Sequence, residues 1–119
     1  MANFEDVFKG IKTLYLEETR QRAAAMSRLV GDLERQARRD AQAEQALDAL
    51  VVQFHGLAGT GTSYGFEELS LLGRMGEIDA GTRQRLGGEL SSEDLKTWRA
   101  LISQIEAAAT PVYLSGGLQ

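Results

Sequence analysis

Cysteine is absent from the chain, which removes disulfide frameworks, thiolate zinc sites, iron–sulfur ligation and cysteine nucleophiles together. Histidine occurs once, at His55, so no site built on two imidazoles is available, the common zinc hydrolase patterns included. Proline also occurs once, at Pro111. Residues 1–110 therefore run without the strongest helix breaker, which favours helices. No apolar run approaches the ~18 residues of a membrane span, and the start MANFEDVFKG lacks the basic opening and apolar centre of a signal peptide. A cytoplasmic protein is expected. Positive charge is scarce as well: 13 Lys and Arg against 17 Asp and Glu leave a net charge of −4. The resulting pI near 5.0 argues against a nucleic-acid partner, because binding a phosphate backbone needs a clustered excess of cations.

What is present suits one soluble globular domain. The 119 residues are 43% hydrophobic and 25% charged, a length and composition able to bury a core. Phe4, Val7, Phe8 and Ile11 recur at helical spacing behind an Asn3 cap and predict a short leading helix over 1–11, packed as a lid on the end of the fold. From about Leu14 to Gln36, Leu14, Thr19, Arg22, Ala23, Met26, Leu29, Val30 and Leu33 form one stripe of a long amphipathic helix. After a polar bend at Arg38, Arg39 and Asp40, a second long helix starts near Ala41 and ends near Thr62 to Gly65. A third covers Phe66 to about Leu86, with Phe66, Leu69, Leu72, Met75 and Ile78 as its inward stripe and a bend expected near Gly81. Gly87 and Gly88 stop it, and Ser91, Ser92, Glu93 and Asp94 signal the start of the last helix, which Thr110 and Pro111 end. The residues from Pro111 onward read as a loose tail.

The expected architecture is therefore all-α: an antiparallel four-helix bundle over 12–110 with a short extra N-terminal helix, in a single domain spanning 1–119.

The stretch Phe54-His55-Gly56-Leu57-Ala58-Gly59-Thr60-Gly61-Thr62-Ser63-Tyr64-Gly65 carries the most information, with four glycines where the flanking period demands helix. An interior glycine costs about 1 kcal/mol relative to alanine, so a compensating use is expected. On a helix, His55 is neighboured by Val51, Val52, Ala58, Gly59 and Thr62, and the surface beyond it is nearly bare. A second protein would thus reach the imidazole unhindered. Near pH 7 a neutral imidazole offers a free lone pair, one of few side-chain nucleophiles able to attack phosphorus. Thr60, Thr62, Ser63 or an arginine from another helix are the candidates for stabilising the product.

This arrangement resembles the histidine-containing phosphotransfer domain, the four-helix carrier of bacterial phosphorelays. Members show His, Leu two residues on, Lys or sometimes Ala three on, Gly four on, a small or hydroxyl-rich stretch, Gly ten on and Leu shortly after. Here His55, Leu57, Ala58, Gly59, Thr60 to Ser63, Gly65 and Leu69 stand at those places. The resemblance implies that His55 is the phosphoacceptor, that Ala58, Gly59 and Thr62 surround the phosphoryl group, and that Gly65 permits close packing at the hairpin turn. Ala58 departs from the commoner lysine, so Lys12, Arg74 or a cation of the partner would take over its electrostatic role. The implied partners are response-regulator receiver domains and a hybrid sensor histidine kinase, with Mg2+ on the receiver and no cofactor or metal on this chain. Glu67 and Glu68 fit a helix first turn better than a metal site. A carrier without autokinase activity follows. A monomer is expected because the reactive surface must stay open, and the length and initial Met favour a free-standing protein.

Two readings of other classes stand beside it. Ala49 to Phe54 taken as a strand would make Gly59 to Gly65 a nucleotide-phosphate loop, although the spacing is not GxGxxG and the P-loop lysine is missing. Alternatively the bundle is a non-catalytic adaptor that binds a signalling partner, with His55 incidental.

Overall fold

The computed structural model describes residues 3–36 and 38–110. Four helices account for nearly all of them: α1 (Phe4–Arg35), α2 (Ala41–Thr60), α3 (Glu67–Leu86) and α4 (Ser92–Ala109), with a short 3-10 turn over Thr62–Tyr64. The expected tail from Pro111 lies outside the described residues.

The helix starts follow from local side-chain chemistry. Asn3 accepts from the backbone N–H of Asp6 at 2.9 Å, and Asp40 from that of Ala43 at 2.9 Å. At α4, Ser91 and Asp94 cap one another reciprocally, the Asp94 N–H donating to the Ser91 hydroxyl and the Ser91 N–H to the Asp94 carboxylate. Gly87 ends α3 with φ at 73°, in the left-handed region that glycine enters at least cost.

Cross-helix pairs fix the topology. Tyr15 meets Thr60 and Arg22 meets Gln53 between α1 and α2, while Arg20 reaches Ala109 and Glu34 reaches Arg99 between α1 and α4. Trp98 donates to Asp79 at 2.6 Å, and Arg83 pairs with Asp94, joining α3 to α4. In each set one number rises as the other falls, so neighbouring helices are antiparallel and form an up-down-up-down bundle. Its centre holds Trp98, Phe54, Met26, Leu47, Leu50, Leu57, Leu69, Ile105 and Val30, all sealed from solvent. Every buried side-chain nitrogen and oxygen among the described residues has a hydrogen-bond partner. The Arg39 guanidinium, itself nearly buried, donates to the carbonyls of Arg83, Gln84 and Gly88 and pins the α1–α2 bend to the end of α3.

Several sequence expectations require correction. There is no separate N-terminal helix: α1 is continuous from Phe4, because no proline or helix-stopping glycine lies between Ile11 and Leu14. Its first turns do not form a lid either, since residues 3–11 are all exposed. Leu14 points outward, and Tyr15 fills the core position in its place, stacked on Tyr64 and Phe66. On α3, Met75 and Ile78 are exposed, whereas Leu69, Ser70, Leu72, Gly73, Gly76, Ala80 and Gly81 are buried. The inward face was masked by its smallness: at Gly73 the α2 backbone comes too close for a side chain, and at Gly76 the Phe54 ring fills the space. Cβ atoms built on Gly73 and Gly61 would lie 2.6 Å from the backbone nitrogens of Ala58 and Ser70. α3 accordingly continues through Gly81 as one helix.

Candidate functional site

Close α2–α3 packing sets the geometry around His55. Phe54, one residue earlier, is completely buried against Gly76, so the next residue on each helix emerges at the surface on the same side. The His55 side chain is 73% exposed, and its Nδ1 lies 2.5 Å from Oε2 of Glu77. With a proton on Nδ1 donated to the carboxylate, the lone pair of a neutral ring resides on Nε2. The carboxylate also fixes the ring's orientation.

Around this pair the surface is open. A Cβ built on Gly59, one turn beyond His55, meets nothing within 4 Å. Val52, one turn before, and Leu71 on α3 are exposed apolar side chains, whereas the exposed Met75 and Ile78 face away from the pair and line the groove between α3 and α4 with Thr97 and Leu101. Arg74 is exposed on α3 one turn before Glu77, at the level of Ala58 and Gly59, since Gly73 abuts Ala58.

The residues singled out from the sequence occupy distinct places. His55 and Gly59 share the open face of α2. Ala58 is buried in the α2–α3 contact, and its carbonyl accepts from the Ser70 hydroxyl at 2.6 Å. Thr62 is exposed but lies beyond the end of α2, in the 3-10 turn. Thr60 is occupied by the Gly56 carbonyl and the Tyr15 hydroxyl. Gly65 closes the turn with φ at 86°, and a side chain there would meet Lys12. Lys12 itself lies over the Phe8 and Phe66 rings at 4.8 and 5.8 Å from their centroids, past the end of α2.

Glu77 was not identified from the sequence. A signal for it existed: in an antiparallel hairpin turning at Gly65, the pairs 54 with 76, 58 with 73 and 61 with 70 set a register that brings 77 to 55. The strand required by the nucleotide-loop reading is not present, since Ala49 to Phe54 are helical. Among the described residues no cluster of His, Asp and Glu is arranged to hold a metal ion, and no helix is long and apolar enough to cross a membrane. Comparisons of the chain with protein-family models, with curated proteins and with solved structures each found no match.

Proposed function

We propose that this chain is a phosphorelay carrier in which His55 accepts a phosphoryl group from a receiver-domain aspartate and passes it to the aspartate of another response regulator. The observation that carries the reading is an exposed imidazole whose Nδ1 is held by Glu77, leaving Nε2 directed to an unobstructed surface beside Gly59. In the transfer, Nε2 attacks phosphorus in line, the N–P bond forms, and the P–O bond to the aspartyl carboxylate breaks, returning that carboxylate as the leaving group. The ring becomes cationic as the bond forms. Glu77 offsets that charge through the Nδ1 proton, by a charge-assisted hydrogen bond. The reverse sequence delivers the phosphoryl group onward.

The resemblance set out above supplies the partner class, and the exposed Val52 and Leu71 give a receiver an apolar rim to rest on. Magnesium belongs to the receiver in this reading, and the chain acts as substrate and carrier without autokinase activity. The same rim also supports the adaptor reading, in which a partner docks and nothing is transferred.

Incubation with a phosphorylated receiver domain and Mg2+ separates the two. Acid-labile, alkali-stable label on the wild type that disappears in His55→Gln is the expected result. Label persisting in His55→Gln places the acceptor elsewhere, and binding of receivers without any label favours the adaptor.

A further inference from the structure

The first turns of α1 project beyond the bundle and pack on nothing, since residues 3–11 are exposed and burial begins at Tyr15. This projecting end is nevertheless apolar on one side. Phe4, Val7, Ile11 and Leu14 follow one another at steps of three, four and three, the spacing of a coiled-coil seam, and they are 81%, 51%, 43% and 56% exposed. Phe8 flanks the seam and is 41% exposed. Glu5, Asp6, Lys9 and Lys12, the charges of this segment, occupy the remaining sides. Farther along α1 the same line continues into Glu18, so the seam is confined to the part that projects.

We infer that two copies of this chain pair through this seam, antiparallel, about a two-fold axis level with Lys9. The spacing reads the same in both directions, so Phe4 meets the partner's Leu14 and Val7 meets the partner's Ile11 in an isologous contact. Charge favours this orientation: the acidic turn at Glu5 and Asp6 lies level with the partner's Lys12, whereas parallel helices would set two acidic turns side by side. The segment's two acids and two lysines cancel, so copies of an otherwise acidic protein meet here without repulsion. Gly10 flanks the axis, and a Cβ there meets nothing within 4 Å, leaving room for close approach of the second helix. The apolar surface covered is on the order of 1,000 Å² over both chains, near the lower bound for specific pairs, so the dimer is concentration-dependent.

This pairing does not rest on the phosphotransfer reading, and it leaves that site open. His55 lies further down the bundle, near the level of Arg22, which contacts Gln53 and stands beside Gly56. The expectation of a monomer came from the need for an accessible imidazole, and the seam satisfies that need.

Sedimentation equilibrium of the whole chain tests the inference. A monomer–dimer equilibrium is expected, with the dimer lost in Ile11→Glu and in Val7→Glu while circular dichroism shows unchanged helix content. Because the chain has no cysteine, Gly10→Cys treated with a short bismaleimide reports orientation and is expected to cross-link as a dimer. Phe4→Cys is expected not to, its partner being ten helical rises or roughly 15 Å away. A wild type that stays monomeric at every concentration overturns the proposal, as does a dimer that survives Ile11→Glu. Cross-linking through Phe4→Cys in place of Gly10→Cys overturns the antiparallel arrangement.

Discussion

Phe54 and Gly76 meet in the core one residue before His55 and Glu77 meet at the surface. A Cβ on Gly76 would lie 2.2 Å from two carbons of the Phe54 ring, so the absence of a side chain at 76 sets the separation of α2 and α3 and thereby the His55–Glu77 distance. Gly76→Ala should destabilise the fold by about 1–3 kcal/mol, the usual cost of overpacking, and lower the melting temperature by several degrees. Gly59→Ala should do the opposite. It adds a methyl where nothing lies within 4 Å and raises helix propensity, stabilising by about 0.5–1 kcal/mol. If Gly59 serves the approach of a receiver, the more stable variant should also transfer phosphoryl groups more slowly. Thermal melts and single-turnover transfer assays on both variants measure this, and full-rate transfer by Gly59→Ala would remove that role.

Replacing the carboxylate at the site tests a different element. Glu77→Gln keeps a hydrogen-bond acceptor beside Nδ1 but removes the charge that would balance the ring in the proposed transfer. Bonds to charged partners are stronger than neutral ones by about 1 kcal/mol, so the transfer rate should fall roughly fivefold. Stability should barely change, because Glu77 is partly solvated. An unchanged rate in rapid-quench measurements would leave Glu77 a bystander.

If the proposed phosphotransfer holds, the cation expected to face the phosphoryl group beside Ala58 is Arg74. It stands at the level of Ala58 and Gly59 on α3, whereas Lys12 is held over two aromatic rings beyond the end of α2. Loss of phosphate from isolated phospho-His55 should therefore change about two- to fivefold in Arg74→Ala, the effect of an exposed ion pair, and not in Lys12→Ala. The reverse ranking would transfer the role to Lys12.

Stability of the α3–α4 side depends on Trp98, which is completely buried and donates its Nε1–H to Asp79 at 2.6 Å. Trp98→Phe keeps an aromatic ring but leaves that carboxylate without its donor, at a cost of about 2 kcal/mol in urea denaturation followed by circular dichroism. Asp79→Asn should cost less, since the amide oxygen still accepts. Equal losses in the two variants would mean that packing, not the hydrogen bond, dominates at Trp98.

Much of this protein is legible along the chain because the relevant forces are local. Asn3, Asp40 and the Ser91–Asp94 box start helices, and Gly87 stops one, through contacts within three or four residues. The apolar period of α2 and α4 identifies their buried faces, since large side chains there are what the core encloses. His55 stood out for the same local reason, one imidazole among glycines.

Tertiary structure decided the rest, wherever two helices had to settle how close they come. Period alone placed Met75 and Ile78 on the inward face of α3, yet Gly73, Gly76 and Ala80 face the core, where the α2 backbone approaches Gly73 and the Phe54 ring covers Gly76. Leu14 lost the interior to Tyr15 because Tyr64, Phe66 and the Thr60 hydroxyl offered that ring a stack and a hydrogen bond. The carboxylate beside His55 comes from 22 residues away, and only the hairpin register brings the two together. Residue type and spacing thus determined the helices and the imidazole; which neighbours that imidazole has depended on how tightly glycine lets two backbones pack.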